Sequence, residues 1–375
     1  MPKLDRAWLR VAIAAAALES VFPSAASAQT WSPPQFVTSE QALSLATNGS
    51  GKAVMLLLPS GQYVGLQAIV QTNGSWSSPI TLSTNATSSK AAVAPNGDAV
   101  AVWSGPSGLQ AAFFTSGRWG NTETLAISKP PVFGLGYDGK NNATVAWENS
   151  TSSSCALDEV TGTAASGFGA PQALNSKCYG FVDLAVNSAG QAIAAQSGPT
   201  LEVAPVVGVF RDTNGVWGAP FDIATPYYGR QHARVGLASN GNVVAVWRAR
   251  TFGEYAVREN GGWSGPAELP QGTGSTYPIV AVDGSGNAVA AYLGKVAYRP
   301  VGGPFQTPVA LNGLEVVATP GGTFAAATGS AIATRLPGST TWNQDLATSG
   351  GVVAAPGQLV AFVNPQTSLS TASVP

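Results

Sequence analysis

The chain has little charge, two cysteines, one histidine and no long apolar run beyond its N-terminus. Asp, Glu, Lys and Arg together make 10% of the 375 residues, against about a quarter in an average soluble protein. That argues against the basic surface that nucleic acid or an anionic membrane would favour. The lone His232 excludes a multi-histidine metal site, and the acidic residues are scattered singly with no calcium-loop spacing. No phosphate-cradling glycine loop and no nucleophile elbow stands out. The sequence therefore implies no metal and no cofactor. Apolar residues at helical spacing are also missing over any useful length, so the expected class is all-β.

What is present begins with an export signal. Lys3, Arg6 and Arg10 precede a short apolar run at residues 11–18 (VAIAAAAL), and Ala26-Ser27-Ala28 supplies small residues before Gln29. Residues 1–28 read as a cleaved signal peptide and 29–375 as the mature domain. Glu19 and the shortness of the run argue against a spanning helix, which needs roughly 20 apolar residues. Without the signal, 15 of the 18 basic residues face 17 of the 19 acidic ones. The expectation is a bacterial protein, secreted or periplasmic, monomeric and without a membrane span.

Two signatures then repeat along the mature chain. The first is a glycine turn closing on an aromatic: NGSWSSPITL at Trp76, SGRWGNTETL at Trp119, SGFGAPQAL at Phe168 and NGVWGAPFDI at Trp217. It continues with NGGWSGPAEL at Trp263, GGPFQTPVAL at Phe305 and STTWNQDL at Trp342, and WSPPQFV at Trp31 lacks the turn. Successive aromatics lie 37 to 49 residues apart, the range of one four-stranded propeller blade. The second signature is an apolar strand, a tight glycine turn and an alternating strand, as in VAPNGDAVAVW ending at Trp103 and LASNGNVVAVW ending at Trp247.

Each unit reads as strands A, B, C and D, with the first signature as the C–D turn. Eight A–B–C triplets begin near Gln41, Lys90, Val132, Phe181, Ala233, Tyr277, Leu314 and Gly350. The last triplet has no strand D, and Trp31 opens a strand D with no triplet before it. These halves should pair, so the expected fold is a single β-propeller of eight four-stranded antiparallel blades. Its N-terminal strand closes the last blade and removes the exposed edges. Seven blades with a C-terminal appendage is the alternative. The aromatic opening each strand D reads as a wedge between blades, where an indole takes roughly 150–250 Å² out of water.

On these turns the chain resembles the secreted bacterial propellers of the sialidase-like, Asp-box class. Their hallmark is a Ser-x-Asp-x-Gly-x-Thr-Trp turn between strands three and four. Here the same place carries RDTNGVW at 211–217, QTNGSW at 71–76 and RENGGW at 258–263, keeping glycine and tryptophan while mostly lacking Ser and Asp. The resemblance implies the fold. Sialidases hold a substrate carboxylate with three arginines from different blades. Of the nine arginines after the signal, five (Arg230, Arg234, Arg248, Arg250 and Arg258) fall in one blade, and arginines at matching blade positions are not evident.

That cluster marks the candidate ligand face. The segments TPYYGRQHAR (225–234) and WRARTFGEY (247–255) read as a D-to-A loop and a B-to-C loop, which open on one face of a propeller. Tyr227, Tyr228, Arg230, His232, Arg248, Arg250 and Glu254 are therefore expected to converge. Arginine forks match carboxylate or phosphate, and tyrosine rings stack on sugars or peptide groups. The plainer reading pairs Arg248 and Arg250 with Glu254 on a wet surface and makes His232 structural. Cys155 and Cys178 fall at the same face of one blade, and a disulfide is expected in an exported chain. The leading function is a non-catalytic propeller binding a glycan or a cell-surface protein. A degenerate sialidase-like hydrolase and a purely structural propeller are the alternatives.

Overall fold

The Asn-Gly and Asp-Gly pairs of the second signature set the framework, because each closes an A–B hairpin. In the computed structural model these turns open at Asn48, Ala94, Asp138, Asn187, Ala238, Asp283 and Thr319. Each donates its N–H to the carbonyl four residues on, at 2.7–3.1 Å. The fourth turn position needs positive φ; Gly241 sits there at 85° and, where glycine is missing, Asn141 at 65°. Asp138 Oδ1 accepts the N–H groups of Lys140 and Asn142, and Asp283 Oδ1 those of Ser285 and Asn287. These carboxylates fill the turn's own donors.

The structure describes residues 35–373 apart from 37, 39, 49–50, 60–63, 129, 131, 151–154, 199–202, 272–275, 312, 329–330, 348–351, 356–357 and 364–369. The signal segment and Trp31 lie outside the described residues. Within them the strands form eight antiparallel sheets. Strand A of each runs Gln41–Thr47, Ser88–Val93, Phe133–Tyr137, Phe181–Val186, Arg230–Leu237, Ile279–Val282, Gly313–Ala318 and Val352–Ala355. All eight begin within three residues of the expected positions. Strand A of every sheet neighbours strand A of the next, and the eighth neighbours the first. The N-terminal strand Gln35–Phe36 pairs with Ser370–Ser373 at the outer edge of the eighth sheet, as expected for closure.

Burial follows this arrangement. The B strands Ala53–Leu58, Ala99–Gly105 and Ala192–Ser197 are buried at every position, because a sheet packs between two neighbours and hides both faces. Near the axis the A strands come so close that a side chain on Gly134 would collide with Leu184, and one on Gly236 with Val282. The turn ends are also laced to one another. Asn48 Nδ2 donates to Ala94 O, Asn187 Nδ2 to Ala238 O and Asn240 Nδ2 to Ser285 O, at 2.8–3.0 Å.

Three expectations are corrected. First, strand D is split in four of the eight sheets: in the first, Ser75–Trp76 and Ile80–Ser83 pair separately with Leu66–Thr72. Ser77 N–H returns to Val70 O at 2.9 Å, and Pro79, with no N–H to give, interrupts the ladder.

Second, the aromatics opening strand D are mostly half-buried. They do wedge between sheets, as Phe168 stacks on Phe113 and Phe305 meets Tyr255 edge to face, both at 4.8 Å. The fully buried indoles, however, are Trp103, Trp147 and Trp247, which belong to strand B. Strand D is the outer strand, so solvent reaches its side of the wedge.

Third, arginines do recur at one blade position. Arg211, Arg258, Arg299 and Arg335 stand opposite the first residues of strand B, namely Ala192, Val243, Ala288 and Phe324. Each reaches back to the preceding sheet: Arg211 to Thr144, Arg258 over Phe210, Arg299 to Glu259 and Arg335 over Tyr298. They belong to strand C, third from the axis, and staple sheets rather than converge on a substrate.

Candidate functional site

In a four-stranded meander the A–B and C–D turns share one end, and the B–C turns and D–A links share the other. At the first end the A–B turns surround a cavity of about 600 Å³. Val93, Tyr137, Val186, Leu237 and Val282 form its apolar collar. The predicted site lies at the opposite end.

There the two expected loops are mostly strand. Phe221–Tyr228 is strand D of the fourth sheet, Gly229 alone links it to Arg230–Leu237, and the B–C turn is only Arg250–Thr251 between paired Ala249 and Phe252. Arg250 N–H donates to Gly229 O at 3.1 Å, which ties the two segments together. Arg250 and His232 are both held at positive φ, 57° and 50°, a conformation that costs non-glycine residues energy and clusters at functional sites. His232 lies in a bulge between Gln231 and Arg234, and bulges re-aim side chains.

The candidate residues divide into two sets. Arg230 and Glu254 are buried and joined, Nε to Oε2 at 2.8 Å and Nη2 to Oε1 at 3.2 Å. Trp247 Nε1 donates to the same carboxylate at 2.6 Å, and Arg230 also donates to Thr225 O. Glu254 is thus the partner of Arg230, not of Arg248 or Arg250. Its acceptors are used inside the fold.

The other set is open. Tyr227 and Tyr228 are 41% and 45% exposed, with the guanidinium of Arg230 5.3 Å from the first ring and that of Arg250 5.4 Å from the second. Arg248 lies 5.4 Å from the ring of Tyr277, itself 43% exposed, and donates from Nε to Arg250 O at 2.7 Å. His232 is packed between Tyr277 at 3.9 Å and Phe181 at 4.5 Å, its ring tilted to both. Arg234 covers Phe181 at 4.7 Å and pairs with Asp183 at 3.3 Å. The result is a shelf of rings, each fixed by a cation against its face, spread over sheets four to six.

Tyr277, Phe181, Arg234 and Asp183 were not among the predicted residues. Aligning the triplets would have exposed part of this set. Ser44, Lys90, Gly134, Asp183, Arg234, Ile279 and Glu315 all pair with the fourth residue of strand B. The charges of two residues in that row reach a third. Burial pushes the Lys90 ammonium below the usual lysine value, Asp183 opposes the shift and Arg234 adds to it.

The disulfide between Cys155 and Cys178 is present, with Cα atoms 5.7 Å apart. It borders a second cavity of about 410 Å³ that includes Glu148, Ser128 and Gly180. Glu148 accepts the N–H groups of Tyr179 and Gly180 at 2.6 and 2.7 Å, fixing the entry to the fourth sheet and to Phe181. Among the described residues no group of three His, Cys, Asp or Glu could hold a metal ion, and no helix is long and apolar enough to cross a membrane.

The fold these elements define is a β-propeller. No family model and no curated protein matches the sequence. Among solved structures, the chain is similar to Chaetomium thermophilum Sqt1 bound to the N-terminus of ribosomal protein L10. The TM-score is 0.57 at 10% identity over 91% of this chain and 98% of that one. It is also similar to a streptogramin B lyase, with a TM-score of 0.50 at 10% identity over 93% and 98% of the two chains. Both are propeller-like proteins, and at this identity the likeness establishes the fold alone.

Proposed function

We propose that the eight sheets are eight blades of one exported propeller, and that it binds a glycan, without catalysis, on the shelf formed by Tyr227, Tyr228 and Tyr277. The observation that carries this reading is the pairing of each half-exposed tyrosine with an arginine that holds one side of its ring. A ring so fixed offers its other side at low entropic cost, and aromatic faces suit the apolar faces of sugars. Arg248 and Arg250 add donor forks at the rim. The carboxylates nearby serve the fold: Glu254 is committed to Arg230 and Trp247, and Asp183 to Arg234 and the Val235 N–H. That disfavours the sialidase-like hydrolase, which needs free acids facing a substrate.

Glycan-array binding by the mature protein is the test. Tyr228→Ala and Arg248→Ala should each reduce the signal at least tenfold with an unchanged melting temperature. Hydrolysis of a fluorogenic glycoside would replace this reading with the hydrolase. Val203, 67% exposed and paired with Tyr228, extends the shelf with apolar surface and favours a protein ligand as the second reading. An array with no signal, together with a protein ligand lost on Val203→Asp, would establish that alternative.

A further inference from the structure

One of the four stapling arginines has no acceptor. Arg211 donates to Gly190 O and to Thr144, Arg258 to Gly241 O and Arg299 to Glu259. Arg335 makes no hydrogen bond or ion pair to any described residue. Its guanidinium lies 3.4 Å from the centre of the Tyr298 ring, and the residue is only 6% exposed. Burying a charge without a partner is costly, so buried guanidinium groups are normally paired.

The neighbouring boundary shows which partner these donors take. Between sheets five and six the Glu259 carboxylate accepts from Arg299 Nη2 at 2.8 Å and from the Gly302 N–H at 3.1 Å. Both donors recur between sheets six and seven. Gly338 follows Arg335 by three residues, as Gly302 follows Arg299. The two glycines hold the same left-handed turn, at φ 73° and 74°. The acceptor does not recur, because Glu259 follows Arg258 but Pro300 follows Arg299. Arg335 and Gly338 instead border a cavity of about 120 Å³, and the Gly338 N–H has no acceptor among the described residues. Nε and Nη1 of Arg299 are sealed inside the fold, whereas no nitrogen of Arg335 is, so a ligand in the cavity can reach the guanidinium. Asp283 lines the same cavity without pairing with Arg335. Its Oδ1 accepts the N–H groups of Ser285 and Asn287, and its Oδ2 accepts from Asn287 Nδ2. That negative charge opposes a dianion more than a monoanion.

We infer that Arg335 and Gly338 bind a monocarboxylate between sheets six and seven, in the place that Glu259 fills between sheets five and six. The guanidinium fork and the backbone N–H supply the same donors to it. The size of the cavity suits a free acid no larger than acetate or the tip of an acidic side chain. The site lies at the A–B end, so it stands apart from the tyrosine shelf and from the glycan reading. No covalent step is involved.

Fluorine NMR of the protein with fluoroacetate tests this, with fluoroacetamide as the neutral probe of the same size. Fluoroacetate should show saturable line broadening at least fivefold greater than fluoroacetamide. Acetate should reverse it, and sulfate at matched ionic strength should not. Arg335→Gln should abolish the difference between the two probes. Pro300→Glu supplies the absent carboxylate from within the fold, so it should also abolish binding while raising the melting temperature. That second variant adds a pair rather than removing one, which keeps the test decisive where Arg335→Gln does not fold. Competition by acetate and by the capped peptide N-acetyl-Gly-Glu-Gly-amide separates the two sources of carboxylate. Stronger competition by the peptide assigns the site to an acidic side chain of a partner, and stronger competition by acetate to a free acid. Equal broadening of both probes, reversal by sulfate as readily as by acetate, or full binding in the Pro300→Glu protein would overturn the site.

Discussion

Replacing Glu254 with leucine removes the acceptor of three donors at once: Arg230 Nε at 2.8 Å, Arg230 Nη2 at 3.2 Å and Trp247 Nε1 at 2.6 Å. The arginine side chain left behind is only 8% exposed and that of Glu254 11%, so water cannot easily replace the lost partner. Breaking a buried pair by deleting one member costs about 3–5 kcal/mol, whereas an exposed pair is worth about 0–1 kcal/mol. Urea unfolding with an unchanged slope should therefore place Glu254→Leu about 3–5 kcal/mol below the parent protein. The double variant Arg230→Met/Glu254→Leu should recover most of that loss, because the stranded charge is gone. A loss below about 1 kcal/mol for the single variant would refute the reasoning and return Arg230 and Glu254 to the pool of ligand contacts.

Other consequences follow from the same structure. Replacing Cys155 and Cys178 together by serine should cost about 3 kcal/mol, measured as the shift in urea midpoint; an unshifted midpoint would contradict it. Gly134→Ala should cost about 1–3 kcal/mol because its new methyl meets Leu184, while Gly265→Ala, with open space around it, should stay within about 0.5 kcal/mol. Burial alone would raise the Glu259 carboxyl, but the Arg299 hydrogen bond and the Gly302 N–H outweigh it and hold the group below the usual range. A folded value below the unfolded one gives stability that is complete above the unfolded carboxylate value, about 4.3, and lost as pH falls through the folded value. Acid titration of stability should thus be shallower in Glu259→Gln than in the parent, and parallel curves would exclude the linkage.

The repeat was legible because its turns are chemically specific: NGDAVAVW and NGNVVAVW mark an A–B hairpin and a fully buried strand B wherever they occur. Trp31 without its turn pointed to closure by the N-terminal strand, and Gln35–Phe36 on Ser370–Ser373 realises it. The site was harder to read. TPYYGRQHAR looked like a loop because Pro226 and Gly229 are turn residues, yet Tyr227 and Tyr228 continue a strand that pairs with Val203 and Ala204. Arg230 and Arg248 look alike in sequence, but register sends one to a buried carboxylate and the other to an exposed ring. The stapling arginines escaped notice because strands C differ in length, so Arg211, Arg258, Arg299 and Arg335 align only through their partners on strand B. Lys90, Asp183 and Arg234 share a row for the same reason.

The central claim is that ligand binds at the B–C end of sheets four to six. Hydrogen–deuterium exchange of the protein, with and without a glycan taken from the array, tests it most directly. The account predicts slowed exchange confined to peptides covering 225–234, 248–254 and 276–281. Protection instead around the A–B turns at Asp138, Asn187 and Asp283 would place the ligand in the opposite cavity and contradict it.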